Sequence, residues 1–172
     1  ENIGKYKDNF YQRLAFDEIF STFLVNSEIR KKIRKVKKKN KTININNQNS
    51  MINKLEFKLT TDQNKALNEI NKDLNSSNKM FRLLQGDVGS GKTIVSLIAA
   101  LNTINSGFQV AFMAPTEILA RQHYNLAKKI FSKNIITEII SGKSEYKEKK
   151  EILKNLENNK VDIIFGTHAI FQ

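Results

Sequence analysis

Residues 86–93 read Gly-Asp-Val-Gly-Ser-Gly-Lys-Thr, a complete G-x-x-x-x-G-K-[ST] phosphate-binding loop. The chemistry follows from residue types. Gly86, Gly89 and Gly91 let the backbone bend so that the N–H groups of Asp87, Val88 and Ser90 face inward around a phosphate. Lys92 reaches the β- and γ-phosphates of a nucleoside triphosphate, and the Thr93 hydroxyl is a ligand for Mg²⁺. A helix starting near Lys92 adds the positive end of its dipole. ATP and Mg²⁺ are the expected cofactors. Lys92 and Thr93 are the expected catalytic pair, with Thr93 the metal ligand.

The elements around the loop give it context. The apolar run 80–84 reads as a buried strand, and residues 92–104 read as an apolar helix. Downstream, helices and short apolar strands alternate. Helix 61–74 precedes strand 81–84. Strand 109–113 then leads through Pro115-Thr116 into helix 117–131. Strand 135–140 is followed by Ser141-Gly142 and helix 145–158, and strand 161–165 comes last. Short apolar strands between helices predict an α/β fold, a parallel sheet with helices on both faces. Ligands on such sheets sit at the carboxyl ends of the strands. Segments 86–93, 114–116, 141–142 and 166–168 are all expected there.

Residues 1–53 differ in character. Leu14, Phe16, Ile19, Phe20, Phe23 and Leu24 recur at helical spacing, and Ile29, Ile33 and Val36 extend the pattern, so a helix over 14–39 is predicted. Its apolar stripe needs another domain, or the phosphate-binding domain, to pack on. Nine of the twelve residues 30–41 are Lys or Arg. That run reads either as a solvated helix face or as a contact to nucleic-acid backbone. Residues 40–53 are Asn-rich with little pattern and read as a connector. The expected division is therefore 1–53, helix and connector, and 54–172, the nucleotide-binding domain.

Composition narrows the classes. The net charge is +12, which favours a polyanionic partner, nucleic acid first, although Lys and Asn are abundant throughout. There is no cysteine, hence no disulfide framework and no thiolate metal site. No run of 18 apolar residues suggests a membrane span. His123 and His168 lack carboxylate companions at ligand spacing. A monomer in the reducing cytoplasm, without membrane contact, is expected.

The motifs together resemble the RecG family of superfamily-two DNA helicases. Phe57-Lys58-Leu59-Thr60 with Gln63 looks like an adenine-reading Q motif. Residues 83–93 are similar to the family's first helicase motif, and Met113-Ala114-Pro115-Thr116-Glu117-Ile118-Leu119-Ala120 with Gln122-His123 resembles motif Ia. Gly166-Thr167-His168-Ala169-Ile170 with Gln172 resembles the next DNA-side block. Arg13-Leu14-Ala15-Phe16-Asp17-Glu18 resembles the start of a linker helix between wedge and motor domains. The resemblance implies a RecA-like motor lobe with ATP as cofactor and branched or duplex DNA as partner. It implies fork regression and Holliday junction branch migration as the activity.

By the same resemblance, Gln63 reads adenine, although Thr60-x-x-Gln63 also has capping-box spacing. Phe57 either packs on the base or belongs to the core. Thr116, Arg121, Ser141, Gly142, Lys143, Thr167 and His168 would touch DNA backbone, with an N-cap the competing role for Thr116 and solvation that for Arg121. The family's D-E-x-H box is absent, since Asp17-Glu18 is the one Asp-Glu pair and precedes the loop. The chain therefore reads as a fragment, inactive by itself. A related double-stranded DNA translocase of the transcription-repair coupling type, a non-catalytic nucleic-acid-binding module, and another class of P-loop enzyme are the alternatives.

Overall fold

A computed structural model describes residues 2–142 and 146–171. The chain divides into two compact units, one of residues Glu1–Lys39 with Ser77–Phe81, the other of Asn40–Ser76 with Arg82–Gln172.

The first unit is built on helix α1, Asn2–Lys35. An antiparallel bridge joins Lys37 to Asn78. The predicted helix is present and starts earlier than its apolar pattern. Phe10, Leu14, Phe16, Ile19, Phe20 and Phe23 are all exposed along it, and Phe16 stacks on Phe20 at 5.7 Å.

The second unit carries the site. Its helices are α2 (Ile45–Ile52), α3 (Thr61–Asn75), α4 (Lys92–Asn105), α5 (Glu117–Ile130) and α6 (Tyr146–Glu157). Strands β1 (Val110–Met113), β2 (Thr137–Ile140) and β3 (Ile163–Gly166) form a parallel sheet in the order β1-β3-β2. The central strand β3 is buried along its whole length, as a strand covered on both faces must be. Ile163 and Phe165 face the larger core, with Leu97 and Ile98 of α4 and Ala127 and Ile130 of α5. Ile164 faces the other way, with Ile140 and with Ile152 of α6. Helices thus lie on both faces of the sheet. Each fully buried Ile, Leu or Phe stabilises the fold by roughly 1.5–3 kcal/mol.

Two readings of the sequence need correcting. Residues 81–84 form no strand, although their apolar run reads as one. A strand needs a neighbour to satisfy its amides, and among the described residues no strand lies beside this run. Leu83 is exposed, and Arg82 is instead fastened to α3 by ion pairs to Glu69 and Asp73, each at 2.7 Å. Residues 40–53 are not a bare connector. They carry α2, N-capped by Asn44 and packed on the core through Met51. The asparagines and Gln48 that hide its periodicity serve a polar junction. Asn102 of α4 donates to Gln48 and to Asn71 of α3, both at 2.8 Å.

Candidate nucleotide and DNA-backbone site

The turn before α4 is held by its own backbone, with Ser90 N–H donating to the Asp87 carbonyl at 3.2 Å. Gly89 and Gly91 sit at φ +83° and +80°, the left-handed region that L side chains rarely adopt. Gly91 is the N-cap of α4 and offers no side-chain cap, so the helix start presents amides rather than a capping oxygen to a ligand. The Lys92 ammonium donates to the Gly86 and Asp87 carbonyls at 2.7 and 2.6 Å and approaches Ser90 Oγ at 3.4 Å. It therefore lies over the bend, where an incoming phosphate would exchange those carbonyl partners for its own oxygens. Thr93 follows in the first turn of α4, partly buried.

Gln63 approaches this loop from α3. Its Oε1 accepts the Thr60 N–H at 2.9 Å, and Thr60 Oγ1 accepts the Gln63 N–H at 3.2 Å, so the capping box is formed. Its Nε2 also donates to the Ser90 carbonyl at 2.9 Å. The same amide group lies where a Cβ on Gly91 would fall, so a side chain there would displace Gln63 from the loop. Thr60, Gln63, Gly86, Asp87, Ser90 and Lys92 line a cleft of about 360 Å³. Asp62, Ala66, Leu84, Gln85 and Val95 also line it. These five were not among the expected site residues, and helical periodicity from Gln63 points only to Ala66. Phe57 is half exposed and is not among the lining residues. Val88 is fully exposed at the tip of the loop.

The expected DNA-side residues follow three parallel strands and so share one edge of the sheet. Thr116 N-caps α5, its Oγ1 accepting the Leu119 N–H at 3.3 Å. Arg121 is exposed one turn further on. The Ala114 N–H donates to the Gly166 carbonyl at 2.9 Å, which joins the segments after β1 and β3. Gly142 is exposed, and its N–H donates to the Glu117 carboxylate. Ser141 and Thr167 are buried, whereas His168 is exposed at the start of a short 3-10 helix. Lys143 lies outside the described residues. Thr116, Arg121, Gly142 and His168 are therefore the accessible members of the set. Glu117, which ties two of these segments, was missed because nothing in the sequence links it to a residue 25 positions away.

His123 packs edge-on against Phe112 at 5.4 Å, and its burial lowers its pKa below the usual imidazole value. It belongs to the packing of α5 on β1. Among the described residues, no group of three or more His, Cys, Asp or Glu could hold a metal ion. None of the described helices is long and apolar enough to cross a membrane.

Comparison with known proteins agrees with this geometry. Residues 60–172 match the DEAD/DEAH box helicase family. The ATP-dependent DNA helicase RecG of Borreliella burgdorferi is 52% identical over 93 residues, 54% of this chain and 14% of that protein. RecG of Aquifex aeolicus is 36% identical over 171 residues, 99% of this chain and 22% of that protein. A solved structure of RecG bound to a three-way DNA junction superposes with a TM-score of 0.81 at 44% identity, covering 92% of this chain and 22% of its own. The chain thus spans less than a quarter of the length of these relatives. The chain belongs to the DEAD/DEAH box helicase family, is homologous to RecG within it, and has its RecA-like fold.

Proposed function

We propose that this chain is the front half of the first motor lobe of a RecG-type, ATP-dependent DNA helicase, preceded by its linker helix. The full-length protein remodels branched DNA in recombination and repair, by fork regression and Holliday junction branch migration. The observation that carries this reading is the Lys92 ammonium lying across a glycine bend that Gln63 holds from the side.

The residues present fit a nucleoside triphosphate. The bend of residues 86–91 and the uncapped start of α4 bind the phosphates, and Lys92 stabilises charge on the γ-phosphate as it develops. Thr93 is the Mg²⁺ ligand within the chain; bound Mg²⁺ neutralises phosphate charge during transfer. Gln63 and Phe57 contact the adenine. Thr116, Arg121, Ser141, Gly142, Lys143, Thr167 and His168 face the DNA backbone, with the exposed members making the direct contacts. Such contacts hold a strand without reading its sequence. The D-E-x-H box that would orient the attacking water is not in this sequence.

The test is DNA-stimulated ATP hydrolysis by the full-length protein. Lys92→Ala should lower it by about 10²–10³-fold, the usual cost of removing one preorganised charge-stabilising donor. The segment alone should hydrolyse ATP at background rate. Undiminished turnover in the variant would remove the basis for the assignment.

A further inference from the structure

The carboxylate of Glu117 stands in the first turn of α5, directly after Thr116. An acid at a helix N-terminus suits the helix dipole. At a helix start that is to receive a DNA phosphate, however, it is an unfavourable neighbour. Its Oε1 accepts the backbone N–H of Gly142, in the turn after β2. A Cβ on Gly142 would stand 2.7 Å from that same oxygen, so a larger residue there would push the Glu117 carboxylate from its present position. Thr116 Oγ1 accepts the Leu119 N–H, and its own O–H can still donate to a phosphate. Ser141 is buried beside the contact, while Gly142 is exposed.

We propose that Glu117 is a positioning residue that clasps the 141–142 turn to the start of α5, so that both present one surface to the DNA backbone. The proposal rests on the DNA-motor reading above and adds a role that the motifs do not assign. The clasp gives the carboxylate a hydrogen-bond donor and fixes the turn at once. A charge-assisted bond to a backbone N–H is stronger than a neutral one. Without it, Gly142 would lose one of its restraints, and any ordering that the DNA then has to supply subtracts from affinity.

Plain electrostatics and the clasp predict opposite signs. Removing a negative charge near a phosphate site should tighten binding if charge alone matters. Removing the clasp should weaken it. The experiment measures binding of a fluorescent three-way junction to the full-length protein, without nucleotide and at fixed salt. Glu117→Ala should bind at least about tenfold more weakly, equivalent to the loss of one hydrogen bond to a charged group. Glu117→Gln keeps an acceptor oxygen and loses the charge, so it should bind as tightly as the unmodified protein or more tightly. Gly142→Ala crowds the same oxygen and should weaken binding no more than Glu117→Ala does, and the double variant should be no weaker than Glu117→Ala alone, because both act on one contact.

Equal or tighter binding by Glu117→Ala overturns the proposal, as does Glu117→Gln binding as weakly as Glu117→Ala. Should Glu117→Ala fail to fold, Glu117→Asp decides, since it keeps the charge and shortens the reach: weakened binding supports the clasp, unchanged binding refutes it. An unmodified protein that binds no junction would instead defeat the motor reading.

Discussion

Gln63 uses the two ends of one amide for two tasks. Its oxygen closes the capping box on Thr60, and its NH₂ group holds the Ser90 carbonyl of the phosphate loop. Substitutions can separate these tasks. Glu is as good as Gln at the third position of a capping box, but a carboxylate cannot donate to a carbonyl. Gln63→Glu should therefore keep the thermal stability within about 0.5 kcal/mol while weakening binding of a fluorescent ATP analogue. Gln63→Ala should lose both, with stability down by about 1 kcal/mol. Equal nucleotide affinity in Gln63→Glu and the unmodified protein would show that the bond to Ser90 is incidental. The capping spacing was legible in the sequence. The tie to Ser90 was not, because it joins residues 27 apart, and no local pattern encodes a side chain that reaches across a cleft.

At the scale of elements, three helices meet through amides rather than through hydrocarbon alone. Asn102 is fully buried on α4, and its Nδ2 donates to Gln48 of α2 and Asn71 of α3. Asn102→Leu adds apolar volume yet leaves the Asn71 oxygen without that donor. The expected result is a loss of roughly 1–3 kcal/mol in urea unfolding, against the gain that hydrophobicity alone would predict. An unchanged midpoint would mean that water replaces the donor. This junction explains why residues 40–53 read as a connector. Polar side chains that bond one another inside the fold look, in sequence, like side chains that face solvent. Helices α3 and α5 were legible because capping residues and apolar spacing agree, and α4 because an apolar run follows the glycine loop. The run 81–84 was misread for the converse reason. Apolar content marks a capacity for sheet pairing, and the pairing itself depends on a neighbouring strand that no local pattern reveals.

For the whole molecule, the question is what the net charge of +12 does. Charge acts on a nucleic acid in two ways. The summed field draws the polyanion in, and specific cations displace counterions where they touch phosphates. Only the second sets the slope of log affinity against log salt, at about 0.9 per phosphate neutralised on duplex DNA. Arg121 and Lys133 test the difference. Both are exposed, and each carries one positive charge. Arg121 is one turn into α5, beside the proposed DNA face, and Lys133 follows the far end of that helix. At 1.5 Å per residue the helical stretch from Arg121 to Ile130 alone spans about 13 Å, beyond the screening length of about 8 Å at physiological salt. Arg121→Ala should make the salt slope of the full-length protein shallower by about 0.9. Lys133→Gln removes the same unit of charge and should leave the slope as it is. A common change in both would make the charge a diffuse attraction spread over the surface. A change confined to Arg121 would place the phosphate backbone at the start of α5, beside Thr116 and the Glu117–Gly142 contact.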